Sequence, residues 1–209
     1  MEVFRIVEHQ ASLSSYRATQ NEDRAVQLEL LIESTKPKNH YLDWHPLIST
    51  PFRYSPPLPA ARFRPPYGKN VFYSSFIEET ALFEHAFHFM RERRHLNMGT
   101  ETGVRTIFTA NVEHQNSIHI NSQQNSQDIM HKNDYSASHQ FVIDHPETEM
   151  IIYPSCRDPK QRENAAILDI QCIGKNPAWE AAIKFFYDNP GQQITWLDYQ
   201  LPITWNQIC

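Results

Sequence analysis

The stretch RFRPPYGKNVFYSSFIEETALFEHAFHF, residues 62–89, decides how this chain is read. It opens on Arg62 and Arg64 beside a Pro-Pro-Tyr-Gly turn, passes a short strand candidate at residues 71–74, and enters a helical run. Ser75 followed three residues later by Glu78 is a capping-box pattern, and the helix it predicts extends to about Leu96. Inside that run a single carboxylate, Glu84, stands among Ala81, Leu82, Phe83, Ala86, Phe87 and Phe89. Ile77, Ala81, Glu84 and His88 share one face, but the other faces are apolar too, so the helix is expected to be largely buried. A carboxylate so placed needs a partner or a raised pKa, because removing its charge from water is unfavourable. The competing reading is a helix edge open to solvent, and periodicity alone leaves both open.

Working outward, residues 3–7 (VFRIV) read as a first strand with Arg5 at its centre. Residues 22–33 repeat apolar positions at helical spacing. Residues 36–66 are proline-rich, an irregular connection of the length that binding loops and lids have. Residues 104–112 form the next strand candidate. Residues 111–133, rich in Asn, Gln and Ser, read as a polar surface excursion. A helix is expected from about Ser136 to just before Pro146. Residues 149–155 (EMIIYPS) and 164–173 read as strands, 178–187 as a short amphipathic helix, and 195–199 as a last strand. Elements interleave without a repeat, which predicts an α+β fold in one compact domain.

Composition sets the outer limits. A chain of 209 residues holds one domain with a substantial core, and 40% apolar with 21% charged residues is not the signature of disorder. The formal charge of −5 lacks the basic surplus of a nucleic-acid-binding module. Cys156, Cys172 and Cys209 are odd in number and widely spaced, which suits reduced thiols in a cytoplasmic protein. The first residues show no signal-peptide pattern, and no apolar run approaches the roughly 18 residues of a membrane span.

Several residue groups carry possible chemistry. Arg62 and Arg64 suit phosphate or carboxylate recognition, since a guanidinium binds oxyanions bidentately; the bland alternative is a pair of solvated arginines. His85, His88 and His95 lie on one helix but lack the HExxH order, so no metal site is expected. Five glycines in the whole chain, with no GxGxxG or P-loop, argue against a glycine-rich nucleotide loop. In YPSCRDP, Ser155 emerges at a strand end beside Cys156 and Arg157, a place suited either to a ligand or simply to a turn. Without a histidine partner, Cys156 reads as a small packed side chain.

Taken in order, these pieces resemble the RES domain, named for its arginine, glutamate and serine. The resemblance begins at FRIV, runs through LELLIE and the opening stretch, and returns at DYSAS and IIYPSCRDPKQRENAAILDI, spanning about residues 3–171. It implies a single domain with a fold similar to the ADP-ribosyltransferase (diphtheria-toxin-like) fold, with mixed small β-sheets flanked by helices. It also implies an NAD-consuming toxin of a bacterial toxin–antitoxin pair, with NAD as substrate and no resident cofactor. The family's arginine falls on Arg62, its tyrosine on Tyr73, its glutamate on Glu84 and its serine on Ser155, with eleven residues from Arg62 to Tyr73 and again from Tyr73 to Glu84. Arg5 matches a recurrent N-terminal arginine. The expected partners are NAD, a helix-turn-helix antitoxin covering the active site, and a possible second copy of the chain, with no direct contact to nucleic acid or membrane.

The implied chemistry suits these residue types. Breaking the nicotinamide–ribose bond builds an oxocarbenium-like charge that Glu84 would stabilise. Arg62 and Arg5 would hold the pyrophosphate or an attacking phosphate, Tyr73 the nicotinamide end, and Ser155 the ribose or amide. Phosphorolysis, hydrolysis and protein ADP-ribosylation differ only in what attacks the ribose carbon. Two departures stand out: Ala60-Ala61 where the family often has glycine, and Asp158-Pro159-Lys160-Gln161-Arg162 where a Pro-Gly-Gly-like turn is common. They motivate a second hypothesis, a catalytically silent NAD-binding module. A DNA-binding protein, the third, lacks a basic face. Residues 174–209 read as an extension that caps the domain or forms an interface.

Overall fold

The computed structural model describes residues 1–9, 20–38, 40–54, 58–96 and 99–209. Nine strands form one mixed sheet: β1 Glu2–Glu8, β2 Phe72–Ser75, β3 Thr100–Asn111, β4 Ser117–His119, β5 Met150–Pro154, β6 Glu163–Ile167, β7 Trp179–Asp188, β8 Gln193–Trp196 and β9 Leu201–Thr204. Their order is β4-β5-β6-β2-β1-β3-β7-β8-β9, antiparallel except for the β4–β5 pair. Six α-helices are described: α1 Glu22–Thr35, α2 Pro46–Ser49, α3 Glu78–Arg93, α4 Ser126–Ile129, α5 Ser136–Asp144 and α6 Trp205–Ile208. None of the described helices is long and apolar enough to cross a membrane. The α+β expectation holds, but the described strands join one nine-stranded sheet in place of the expected small sheets, because β1 pairs with both β2 and β3 and joins the two halves.

The decisive helix, α3, spans sixteen residues. Glu78 and Glu79 in its first turn and Arg91 and Arg93 in its last complement the helix dipole. The expected capping box does not form: the N-cap is Ile77, with no side-chain cap. Ser75 belongs instead to β2, where its hydroxyl donates to Asn164 Oδ1 at 2.6 Å across the strand pair. A cross-strand partner in a buried sheet outweighs a solvent-edge cap. Leu82, Phe83, Ala86, Phe89 and Met90 bury α3 against Ile107, Ile183, Phe185, Tyr187, Ile194, Trp196 and Ile203. The opposite sheet face packs Leu47, Ile48 and Phe52 on Val3, Phe72 and Phe108. A third cluster joins Phe63, Tyr153, Ile120, Ile129 and Phe141.

Residues 178–187, expected as a helix, are strand β7. Glu180, Ala181, Ala182 and Lys184 favour a helix locally, but Ile183, Phe185 and Tyr187 are buried with exposed residues between them, a period of two. β7 pairs with β3 from Thr100↔Asp188 to Thr109↔Trp179, and those long-range bonds override local propensity. Gly103 is required on β3, since a Cβ there would lie 2.6 Å from the Phe185 ring. The last predicted strand is shorter than expected: β8 ends at Trp196, a 3₁₀ turn at Leu197–Tyr199 follows, and β9 returns as the sheet edge. Residues 164–173 likewise divide into β6 and a 3₁₀ turn at Ile170–Cys172.

Two loop expectations also change. The proline-rich connection, of which residues 39 and 55–57 lie outside the described set, contains α2 and a 3₁₀ turn at Thr50–Phe52 and contributes core side chains. The Asn/Gln/Ser-rich segment contains β4 and α4, and Ile120 and Ile129 anchor it with no exposed surface.

Candidate active site

The cleft lies where β1 and β2 share a single paired position, Phe4↔Ser75. Their parting, roofed by the 58–64 loop and floored by α3, opens a cavity of about 660 Å³. Its lining includes Arg5, Arg62, Tyr73 and Glu84, together with Arg157 and Asn164. Four of the five residues singled out in the sequence therefore share one wall system.

Glu84 is half-buried on the cleft face of α3. Its Oε1 accepts from Ser155 Oγ at 2.6 Å and from Asn164 Nδ2 at 2.7 Å, which leaves Oε2 to the cleft. Burial pushes its pKa above the ordinary carboxylate value, while the two hydrogen bonds and the nearby Arg157 and Arg62 guanidinium groups pull the other way. Both readings of the opening question hold in part: the residue faces an opening, but that opening is a cleft and the helix around it is buried.

Ser155, the fifth residue, is buried behind Glu84 and does not line the cleft. Its oxygen accepts from the backbone N–H groups of Arg157 and Asp158 at 3.0 and 2.9 Å, which turns its own proton toward Glu84. In this geometry it holds the carboxylate in place. The unusual loop that follows is braced by charge. Buried Asp158 accepts from Thr80 Oγ1 at 2.7 Å and from Arg162 Nε, and Arg162 Nη1 bonds Glu79 at 2.6 Å. Gln161 takes φ 51°, a left-handed conformation that glycine adopts more readily, so this loop makes its turn without a glycine.

Arg62 is buried, and its Nη1 donates to the carbonyls of Ile129 and His131 at 3.1 and 2.9 Å. Its guanidinium also sits 4.9 Å from the Tyr135 ring centroid. The loop itself is clamped by α5: Ser138 Oγ donates to the Arg62 carbonyl, and His139 Nε2 bonds the Ala61 carbonyl at 2.9 Å. Tyr73 Oη accepts from the Phe63 N–H at 3.2 Å, and burial raises its pKa to about 12, so the phenol is protonated and can donate to a ligand. Arg5 donates to the Tyr73 carbonyl at 3.3 Å and lies 4.4 Å over the Phe72 ring. Burial lowers its pKa to about 10, which leaves it cationic at neutral pH.

Two site residues escaped sequence reading. Arg157 stands out in the sequence only as a neighbour of Ser155; it lines the cleft, lies 3.5 Å over the Phe87 ring, and donates to Ile208 O at 3.2 Å and Lys132 O at 3.5 Å. Asn164, a lone amide at the head of the apolar strand ENAAI, was a legible signal: a polar side chain among buried Ala165, Ala166 and Ile167 needs a partner. Cys156 is half-buried, with its Sγ 3.5 Å from Arg62 Nη2.

Arg5, Arg62 and Arg157 share one property: each is held by carbonyls rather than by a carboxylate, and among the described residues none of them forms a salt bridge. Three cations with neutral partners around one cleft leave a net positive field for an anion. The profile described as RES domain matches residues 34–188. The chain belongs to the RES-domain family. The match covers most of the chain, reaches past Gly174 through β7, and begins after β1, so Arg5 lies outside it. No curated protein matches the chain.

His85, next to Glu84, lines the cleft and accepts from Arg105 Nε at 3.2 Å. Burial first, then the Arg105 charge, lowers its pKa to about 3, so it is neutral in the folded state and titrates near 6.5 when unfolded. The unfolded chain therefore binds the extra proton between pH 6.5 and 3, and this contribution to stability is present above pH 6.5 and lost as pH falls. Lowering pH from 7 to 5 is expected to destabilise the protein by about 1–2 kcal/mol through this group. Chemical denaturation at both pH values, with His85→Gln flattening the difference, checks it; an unchanged pH slope in the variant refutes it.

Proposed function

We propose that this RES-domain protein cleaves the nicotinamide–ribose bond of NAD. The observation that carries the reading is the pairing of one desolvated carboxylate, Glu84, with three guanidinium groups whose partners are neutral. NAD presents the complementary charges, an anionic pyrophosphate and a cationic nicotinamide ring. As the glycosidic bond breaks, its electron pair leaves with the ring, which becomes neutral nicotinamide, and the positive charge passes to the ribose carbon. The ionised Glu84, held by Ser155 and Asn164, would stabilise that charge. Arg62 and Arg5 would bind the two phosphates, and the Tyr73 hydroxyl would donate to the nicotinamide amide or ribose. An ADP-ribosyltransferase-like architecture and a toxin role belong to the same reading, as does a neutralising protein that covers the cleft. The carbonyl-held arginines and the preserved Ser155–Glu84 bond argue against a silent module despite the altered loop.

The test is incubation of the purified protein with NAD, with and without inorganic phosphate, and chromatographic separation of products. Release of nicotinamide is expected. Phosphate dependence identifies the phosphorylase, indifference to phosphate the glycohydrolase, and transfer only to added protein the ADP-ribosyltransferase. Intact NAD in every arm, including protein acceptors, refutes the reading.

A further inference from the structure

We propose that the wall of the cleft formed by Pro51, Tyr54, Leu58 and Pro59 is the subsite for the adenine ring of the dinucleotide, with Tyr54 as its stacking platform. The proposal rests on the NAD reading and adds to it a substrate-binding residue, Tyr54, that the catalytic argument leaves without a role.

The order of groups along the cleft carries the inference. α3, with Glu84, packs on the sheet face that holds Phe4 and Ile6. The segment leading to Tyr54 packs through Leu47, Ile48 and Phe52 on the opposite face, with Val3 and Phe72. Both line the same cavity, so the cleft passes from one face to the other through the parting of β1 and β2. Arg5 sits in that parting, over the Phe72 ring and so toward the proline-rich wall. From α3 outward the cleft thus offers a carboxylate, a cation, and then a tyrosine with prolyl and leucyl neighbours. A nicotinamide dinucleotide has the matching sequence of a glycosidic bond to be broken, two phosphates, and a neutral purine.

The chemistry of the far wall suits a flat uncharged ring. Tyr54 is half-buried and faces the cavity together with Pro51, Leu58 and Pro59. Stacking on an aromatic side chain tolerates any base, so this wall adds affinity more than base selection. It is also braced in advance. Asn70 Nδ2 donates to the carbonyls of Phe52 and Tyr54 at 3.2 and 2.7 Å, and Arg64 Nε and Nη2 donate to the Pro59 carbonyl at 3.3 and 2.9 Å. The Leu58 N–H reaches the Pro66 carbonyl at 3.0 Å. Prolines with fixed φ reduce the ordering needed when a ligand arrives.

The experiment is calorimetric titration of AMP into the wild type, Tyr54→Ala and Tyr54→Phe, which requires no turnover. Loss of stacking is expected to weaken AMP binding by roughly ten- to hundredfold in Tyr54→Ala, while Tyr54→Phe stays within about threefold of the wild type. In steady state, Tyr54→Ala is expected to raise KM for NAD with kcat little changed, and to leave cleavage of nicotinamide mononucleotide, which has no adenylyl group, unaffected. Thermal melts of both variants guard against misfolding, and Tyr54→Phe keeps the ring if the alanine variant melts early. Absent AMP binding by the wild type, equal AMP affinity in Tyr54→Ala, or equal losses on NAD and the mononucleotide would each overturn the subsite. Tyr54-dependent AMP binding by a wild type that leaves NAD intact would sink the proposed reaction and leave the subsite standing.

Discussion

Glu84→Gln is expected to lower NAD turnover by about 10²–10³, the usual consequence of removing one preorganised electrostatic group, while the protein melts at a higher temperature than the wild type. The two effects have one cause. The amide oxygen of glutamine still accepts from Ser155 and Asn164, so the bonds at 2.6 and 2.7 Å survive, but the buried negative charge is gone. Because burial raises the pKa of Glu84, its ionised form is disfavoured in the folded state relative to the unfolded chain. The folded wild type is therefore penalised at neutral pH, and the penalty disappears as pH falls below the raised pKa and the carboxyl takes up a proton. The stability advantage of Glu84→Gln should accordingly shrink on acidification, and wild-type activity should fall through the same pH range. A site kept reactive against its own stability is a familiar trade-off. Equal melting temperatures across pH 4.5–8, or turnover within threefold of the wild type, would remove Glu84 from the role assigned to it. Ser155→Ala and Asn164→Ala remove donors that favour the charged form, so each is expected to move the acidic limb of the rate profile upward in pH.

The second large effect concerns the segment after Gly174. Trp196→Ala is expected to cost about 3–5 kcal/mol, with a fall in Tm of roughly 10 °C or more. Trp196 has no exposed surface, lies 5.6 Å from the His85 ring and 6.0 Å from Phe185, and belongs to the cluster that buries α3. Deleting residues 189–209 removes β8, β9 and α6 together. β7 would then become an unpaired edge, Phe87 would lose the Trp205 ring stacked at 5.5 Å, and Arg157 would lose the Ile208 carbonyl. The shortened chain is expected to aggregate or to melt without cooperativity. A cooperative transition within a few degrees of the full chain, with activity retained, would show that the segment is an appendage after all. The hydrophobic terms here are local, so the Trp196 and Glu84 variants are expected to act on stability in opposite directions and to be separable in one set of melts.

Much of the site was legible because chemistry constrains residue type. A carboxylate inside an apolar helical run, two arginines at a turn, and a hydroxyl at a strand end are unusual placements, and the resemblance to the RES domain linked them. The α+β class and the strands around Phe4, Tyr73, Ile107 and Ile151 followed from short apolar runs, which local periodicity reports well. Three things depended on contacts distant in sequence. β7 is a strand because β3 pairs with it, whereas its Glu, Ala and Lys residues favour a helix. Ser75 is a sheet residue because Asn164 stands opposite it, so the capping box written in the sequence never forms. Ser155 holds Glu84 because the fold brings the end of β5 against α3, 71 positions back in the chain. The residue types and their order thus determined which groups could perform the chemistry. The tertiary structure alone decided which of them face the cleft, since orientation depends on partners 60 to 90 positions away that leave no periodic trace in the local sequence.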